Sequence, residues 1–361
     1  MNFELSDDQR AIKRTAHEML ASRYSPETVR ELAADERGFT DAQWQELSEL
    51  GWPGVIVPEA DGGLGLGAVE LVVIHEEIGY ALAPSPLFST LSAALLLGAA
   101  GSEAQRRRWL PPLAQGESRG TIATADAAPP SARDSDGALE FAEDRLTGRK
   151  IAVPDGASAD FVIIAGEGDR HFLAQTDDPN VAFESERSLD PTRKLYALTL
   201  SGAAAEELED AGRERLAHAY ATIATALAAE NVGVAQRALE MAVAYAKDRA
   251  QFGRPIGSYQ AVSHRCAQML LEVEGARSLC YWAGWALDHD PEVALRAASM
   301  AKAYASDAGF RVAAAALQVH GGIGFTWEHD LHFFLKRAKA NGHMFGDARR
   351  HRDRVAELSG L

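Results

Sequence analysis

The chain is poor in cysteine, in basic charge and in long hydrophobic runs, and each shortage closes off a class of protein. Of 361 residues only two are cysteines. Cys266 and Cys280 stand fourteen residues apart in one helical stretch. That is about 20 Å along a straight helix, too far for a disulfide. Neither has metal-ligand company, so both read as reduced, buried thiols of a cytosolic protein and no metal site is expected. Lysine and arginine number 36 against 52 aspartates and glutamates, a formal net charge of −16. That balance excludes nucleic acid or an anionic membrane surface as the main partner, because both need a basic face. A local cluster of arginines still suffices for a polyanionic small molecule. The longest apolar run, Leu91 to Ala100, is interrupted by Ser92 and Gly98 and is too short to span a bilayer. Met1-Asn2-Phe3-Glu4 carries no basic or apolar leader. A soluble, cytoplasmic protein without a secretory signal is expected.

Apolar residues are present in quantity, 47% of the chain and spread along its length, enough for a sizeable core. Three zones separate by periodicity. From Ser6 to about Gly116 apolar residues recur three and four apart, and Ser6 with Gln9 forms a helix-opening capping box. A loop from Gly51 to Gly67, with Pro53, Pro58 and six glycines counting both ends, interrupts this zone. From about Ser118 to Ser201 short branched runs appear, such as Phe161–Ile164 and Leu195–Leu200. Turn residues separate them at Pro129-Pro130, Asp136-Gly137, Asp155-Gly156 and Asp177–Asn180. From about Glu206 the chain is helical again, in four Ala-rich stretches: Arg213–Arg249, Ser258–His289, Pro291–His320 and Trp327 to the C-terminus. Antiparallel helices of this length make a four-helix bundle. The expected fold is mainly α with a central β domain: residues 1–117 helical, 118–205 β, 206–361 the bundle.

The most informative string runs from Tyr245 through Arg249-Ala250-Gln251-Phe252-Gly253-Arg254-Pro255-Ile256-Gly257-Ser258-Tyr259-Gln260. By itself it reads as a helix end, a Gly-Pro turn and a new helix capped by Ser258. A second string, Gln318-Val319-His320-Gly321-Gly322-Ile323-Gly324-Phe325-Thr326-Trp327-Glu328, places adjacent glycines at a helix end, where backbone N–H groups can approach a phosphate. By itself that reads as a helix stop and a turn. Together with Trp44, Leu50-Gly51-Trp52, Pro58-Glu59, Gly62-Gly63-Leu64-Gly65 and Glu76-Glu77-Ile78-Gly79, these strings resemble the acyl-CoA dehydrogenase family over nearly the full chain.

The resemblance implies a helical domain, a β-barrel-like middle domain and a C-terminal four-helix bundle, with FAD as cofactor. Carried over by position, Arg249 meets the FAD pyrophosphate. Gln251, Phe252, Ile256, Tyr259 and Gln260 line the adenosine side, and Gln318, Val319 and Gly322 close over it. In the family these residues reach the flavin held mainly by the neighbouring subunit.

The family reaction desaturates an acyl-CoA thioester and needs a carboxylate base for the α proton. In many members the base is a glutamate past an Arg-Xaa-Ala-Lys-like element. Here that string is Lys336-Arg337-Ala338-Lys339 through Asp347, and the base position falls on Phe345. The other family position, on the first bundle helix, falls near Ile223. No catalytic residue is therefore assigned. Glu230 and Asp347 are the nearest carboxylates, and a surface or capping role is expected of each.

The strings that flank the isoalloxazine in the family have also drifted, to Thr124–Ser131 and Lys150–Gly156. An intact donated half-site beside an eroded retained one resembles the base-less subunit of actinobacterial α2β2 acyl-CoA dehydrogenases, many tied to steroid side-chain breakdown. The partners implied are an acyl-CoA and a catalytic subunit of the same family. Two alternatives stay open: a self-sufficient homotetramer using Asp347 or Glu230 as base, and a non-enzymatic thioester-binding relative.

Overall fold

The computed structural model describes residues 4–126, 139–209 and 212–361. The turns expected at Pro129-Pro130 and Asp136-Gly137 lie outside the described residues, as do Ala127 to Ser131 of the first drifted string. By contacts the chain divides into two compact units. One comprises Met1–Arg30, Gly67–Ala83 and Ala221–Leu361, the other Glu31–Leu66 and Pro84–Tyr220. The units interleave the three sequence zones.

The first unit is helical. It contains α1 (Asp7–Arg23), α4 (Ala68–Ala81), most of α7 (Arg213–Asp248), then α8 (Gln260–His289), α9 (Pro291–His320), α10 (Leu331–His343) and α11 (Ala348–Leu358). The expected box opens α1: the Ser6 side chain accepts from Gln9 N–H while the Gln9 side chain accepts from Ser6 N–H. One shared core runs through α7 to α10, built on small residues such as Ala228, Ala238, Ala276, Ala283, Ala301 and Ala308. Alanine lets helix axes approach closely, so many contacts of low individual energy accumulate.

Two glycines carry this closeness furthest. A Cβ on Gly79 of α4 would collide with the carbonyl oxygen of Glu230 on α7, and one on Gly233 of α7 would collide with the carbonyl oxygen of Glu76 on α4. Each helix thus receives the backbone of the other where it has no side chain.

Two helix boundaries differ from the sequence reading. The fourth stretch is two helices, not one: the chain breaks where Phe345 and Gly346 adopt left-handed backbone (φ +56° and +101°), and Asp347 caps the restart. Ser258 does not cap α8. Its hydroxyl donates to Pro255 O within a 3-10 turn, and Tyr259 occupies the cap position.

The second unit holds α3 (Asp41–Glu49), α5 (Leu87–Ala100), α6 (Glu103–Ala114) and the strands β1 (Gly120–Ala123), β2 (Ala125–Asp126), β3 (Glu140–Ala142), β4 (Arg145–Pro154), β5 (Phe161–Ala165), β6 (His171–Gln175), β7 (Val181–Glu186) and β8 (Leu195–Glu207). α2 (Pro26–Ala34) crosses the division of the chain. The strand order is β1-β5-β6-β8-β4-β2, with β3 on β4 and β7 on β8. Among the described residues only the β1–β5 pair is parallel. Thr121 of β1, at one end of the order, donates its hydroxyl to Pro154 O of β4, next to the other end, and the sheet nearly closes. Its interior is filled by Leu146, Val162, Ile164, Phe172, Leu198 and Leu200. The fold is thus mainly α with a central, barrel-like sheet, as expected.

Candidate functional site

The first signature string folds as a projecting hairpin in the helical unit. After α7 ends at Asp248, β9 (Ala250–Gln251) pairs antiparallel with β10 (Arg254–Pro255). The turn is Phe252 and Gly253, both left-handed (φ +53° and +80°). Glycine takes that conformation freely, whereas Phe252 pays strain for it while its ring stands 93% exposed. Local contacts stiffen the hairpin. Tyr259 Oη donates to Gln251 O at 3.0 Å, Ile256 N–H to Arg249 O at 2.7 Å, and the Arg254 guanidinium lies 4.2 Å over the Tyr259 ring. Arg249, Gln251, Phe252 and Gln260 are exposed, and Ile256 and Tyr259 half-buried. Neither Arg249 nor Arg254 has a carboxylate in ion-pair reach among the described residues. In a chain of net charge −16, two uncompensated guanidiniums on one rigid turn suit a pyrophosphate.

The second string lies beside the root of the first. His320 ends α9 with its Nδ1 2.8 Å from Ala316 O, and its ring stacks on Tyr245 of α7 (4.4 Å, 22°) and meets His329 edge-on at 4.6 Å. Burial pulls the His320 pKa below its ordinary value, which favours the neutral ring in this aromatic stack. Gln318 and Gly322 are exposed and Val319 half-buried. At Gly321, in left-handed backbone (φ +63°), and at Gly322, a Cβ would meet nothing, so this turn stands open to an incoming group. Ile323, Phe325 and Trp327 are exposed at 50%, 69% and 71%. All nine residues assigned to the cofactor thus sit on two strings of one unit, joined by the Tyr245–His320 stack.

The two positions to which the resemblance carries the base are Phe345 and Ile223. Phe345 occupies the break between α10 and α11, and the break is pinned from inside. His351 Nε2 lies 3.0 Å from Phe345 O, and the buried Lys302 donates to Asn341 O (2.6 Å) and Ser306 Oγ (3.2 Å). Burial pushes the His351 pKa down to about 4 and that of Lys302 down to about 7. Ile223 is buried on α7. Asp347 plays the capping role expected of it, its Oδ1 accepting from Arg350 N–H at 2.9 Å; that bond holds its pKa below the usual range. Glu230 does not sit at the surface. It is fully buried and meets the buried Arg337 of α10 at 2.5 Å. A carboxylate flanked by Ala226–Ala229, Val232 and Val234 on a helix apolar all round was the available signal for burial. Its partner, 107 residues away, left none.

In the second unit, described residues of both drifted strings are engaged in the sheet itself. Lys150 of β4 is buried and reaches Asp126 of β2 at 2.6 Å. Ala152 takes left-handed backbone (φ +53°) where the β4–β8 register shifts, and its N–H donates to Glu186. Asp155 is buried and accepts from Ser89 Oγ at 2.8 Å. Cys266 and Cys280 are both free thiols, the second buried. Among the described residues no group of three metal-ligating side chains occurs, and no helix is long and apolar enough to cross a membrane.

Comparison with known proteins gives consistent matches. The sequence fits the acyl-CoA dehydrogenase N-terminal domain over residues 6–117 and the acyl-CoA dehydrogenase C-terminal domain over residues 197–359. It is 33% identical over 346 residues to acyl-CoA dehydrogenase IpdE2 of Mycolicibacterium smegmatis, covering 96% of each chain. Among solved structures it is similar to the Tcur3481-Tcur3483 steroid ACAD variant, with 30% identity, 98% of both chains covered and a TM-score of 0.88. It is also similar to the ChsE4-ChsE5 complex of Mycobacterium tuberculosis, with 27% identity, 100% of this chain and 99% of that one covered, and a TM-score of 0.87.

Proposed function

This chain belongs to the acyl-CoA dehydrogenase family, whose members bind FAD, and we propose that it is the base-less subunit of a heteromeric acyl-CoA dehydrogenase. In this reading it lends the adenosine-diphosphate side of an FAD site to a catalytic partner subunit. A steroid side-chain thioester is the substrate favoured by its likeness to a steroid ACAD, and the ChsE4-ChsE5 complex supplies a precedent of similar fold for pairing unlike chains.

One observation supports the reading: the positions at which the resemblance would place the base hold Phe345 and Ile223, and the two carboxylates weighed in their stead, Glu230 and Asp347, are engaged by Arg337 and by the start of α11. Phe345 and Ile223 cannot take a proton. Glu230 as base would have to leave Arg337, and uncoupling a buried ion pair costs about 3–5 kcal/mol. Asp347 as base would surrender the α11 cap, worth about 1 kcal/mol. The self-sufficient alternative must overcome one cost or the other.

FAD, when bound, supplies the acceptor for the hydride leaving the β carbon. The chain's own contribution is electrostatic and positional. Arg249, with Arg254 beside it, offers guanidiniums to the pyrophosphate, and Gln251, Phe252, Ile256, Tyr259 and Gln260 enclose the adenosine. Gln318, Val319 and Gly322 close the other side. The test is the visible spectrum of the chain purified alone and again with co-expressed family homologues, with flavin counted against protein. A colourless chain that becomes yellow and active only with a partner supports the reading. One flavin per chain in the lone protein, with turnover, overturns it.

A further inference from the structure

The second unit contains a cavity of about 290 Å³ that no part of the proposed chemistry uses. Its apolar lining includes Val57, Ala94, Leu95, Ala99, Leu110 and Ala219. Two basic side chains, Arg215 and His218 on the first turns of α7, complete it, and among the described residues no carboxylate lines it. Arg215 Nη2 donates to Gly98 O at 3.1 Å, which sets the guanidinium at the cavity wall. No carboxylate neutralises that guanidinium among the described residues.

Gly98 is the telling residue. It sits inside α5, where glycine is the worst helix former after proline, yet an added Cβ would meet nothing within 4 Å. Alanine would fit and would strengthen the helix. The glycine leaves open the space into which the cavity extends.

We propose that this cavity binds a small amphipathic carboxylate, its apolar body among the α5 and α6 side chains and its carboxylate on Arg215. An apolar pocket with one convergent cation selects a ligand of that kind over a neutral or cationic one of equal length. The proposal is independent of the flavin reading, because it rests on other residues and its test does not involve turnover.

The test is calorimetric titration of the full-length chain with sodium octanoate, 1-octanol and octylamine. Octanoate is expected to bind at least about tenfold more tightly than octanol, the difference one charge-assisted hydrogen bond confers, and octylamine not at all. Arg215→Gln should erase the preference of octanoate over octanol. Gly98→Leu should fill the space and abolish binding of both, while Gly98→Ala raises the melting temperature and so confirms that the position tolerates a side chain. Equal binding of octanoate and octanol by the parent chain, unchanged octanoate binding in Gly98→Leu, or no octanoate binding by the parent chain would each overturn the proposal.

Discussion

Replacing Arg249 by alanine removes an exposed guanidinium that touches no carboxylate among the described residues. Its effect should therefore appear in cofactor retention and not in stability. In an assembled, flavin-loaded complex, Arg249→Ala is expected to weaken FAD binding by about tenfold or more, the worth of a charge-assisted hydrogen bond. The melting temperature of the isolated chain should stay unchanged. Glu230→Gln should behave in the opposite sense. It leaves Arg337 buried opposite a neutral amide, so chemical denaturation should show a loss of about 3 kcal/mol. Selective loss of turnover at full stability would instead mark Glu230 as the base.

His351 gives a pH signature. Its folded pKa of about 4 lies below the ordinary 6.5, so between those values the unfolded chain binds the extra proton. Stability from this group is complete above pH 6.5 and drains away as pH falls toward 4. In His351→Gln, which keeps a donor for Phe345 O, thermal melts across that window should lose less stability than in the parent.

Between α4 and α7, the reciprocal glycines reverse the usual helix arithmetic. Glycine to alanine inside a helix normally gains up to about 1 kcal/mol. At Gly79 or Gly233 the new methyl meets backbone, which cannot rotate away, and overpacking costs about 1–3 kcal/mol or more. Gly79→Ala and Gly233→Ala should each lower the denaturation midpoint, in contrast to Gly98→Ala.

Element by element, the sequence is readable where burial is periodic and local. α9 has the expected bounds, and α7 and α8 fall within one or two residues of theirs, because alanine-rich runs end at Arg-Ala-Gln, Asp-Pro and Gly-Gly punctuation. The hairpin residues were identifiable as a string, though not the Tyr245–His320 stack that seats the two strings together. The break at Phe345–Gly346 was hidden because the sequence on both sides is helical and a left-handed phenylalanine has no signature. The Glu230–Arg337 pair was hidden for a related reason: its partners meet only after α7 and α10 pack, and no short-range pattern reports that.

At the scale of the whole molecule, the proposed donation of a half-site has a stoichiometric consequence. Assembled with a base-bearing partner in an α2β2 complex, the chain should yield one flavin for every two polypeptides, measurable by absorbance against amino-acid analysis. Two flavins per pair would mean that the drifted strands around Lys150 and Ala152 still hold a ring of their own.

The hairpin turn carries a further implication for the chain's life before assembly. Phe252, strained and almost wholly exposed, together with Phe325 and Trp327, displays the kind of surface that chaperones retain and proteases find. Under the proposed pairing, copies synthesised in excess of the partner would be the first to be cleared, and the partner's abundance would set how much of this chain the cell can keep.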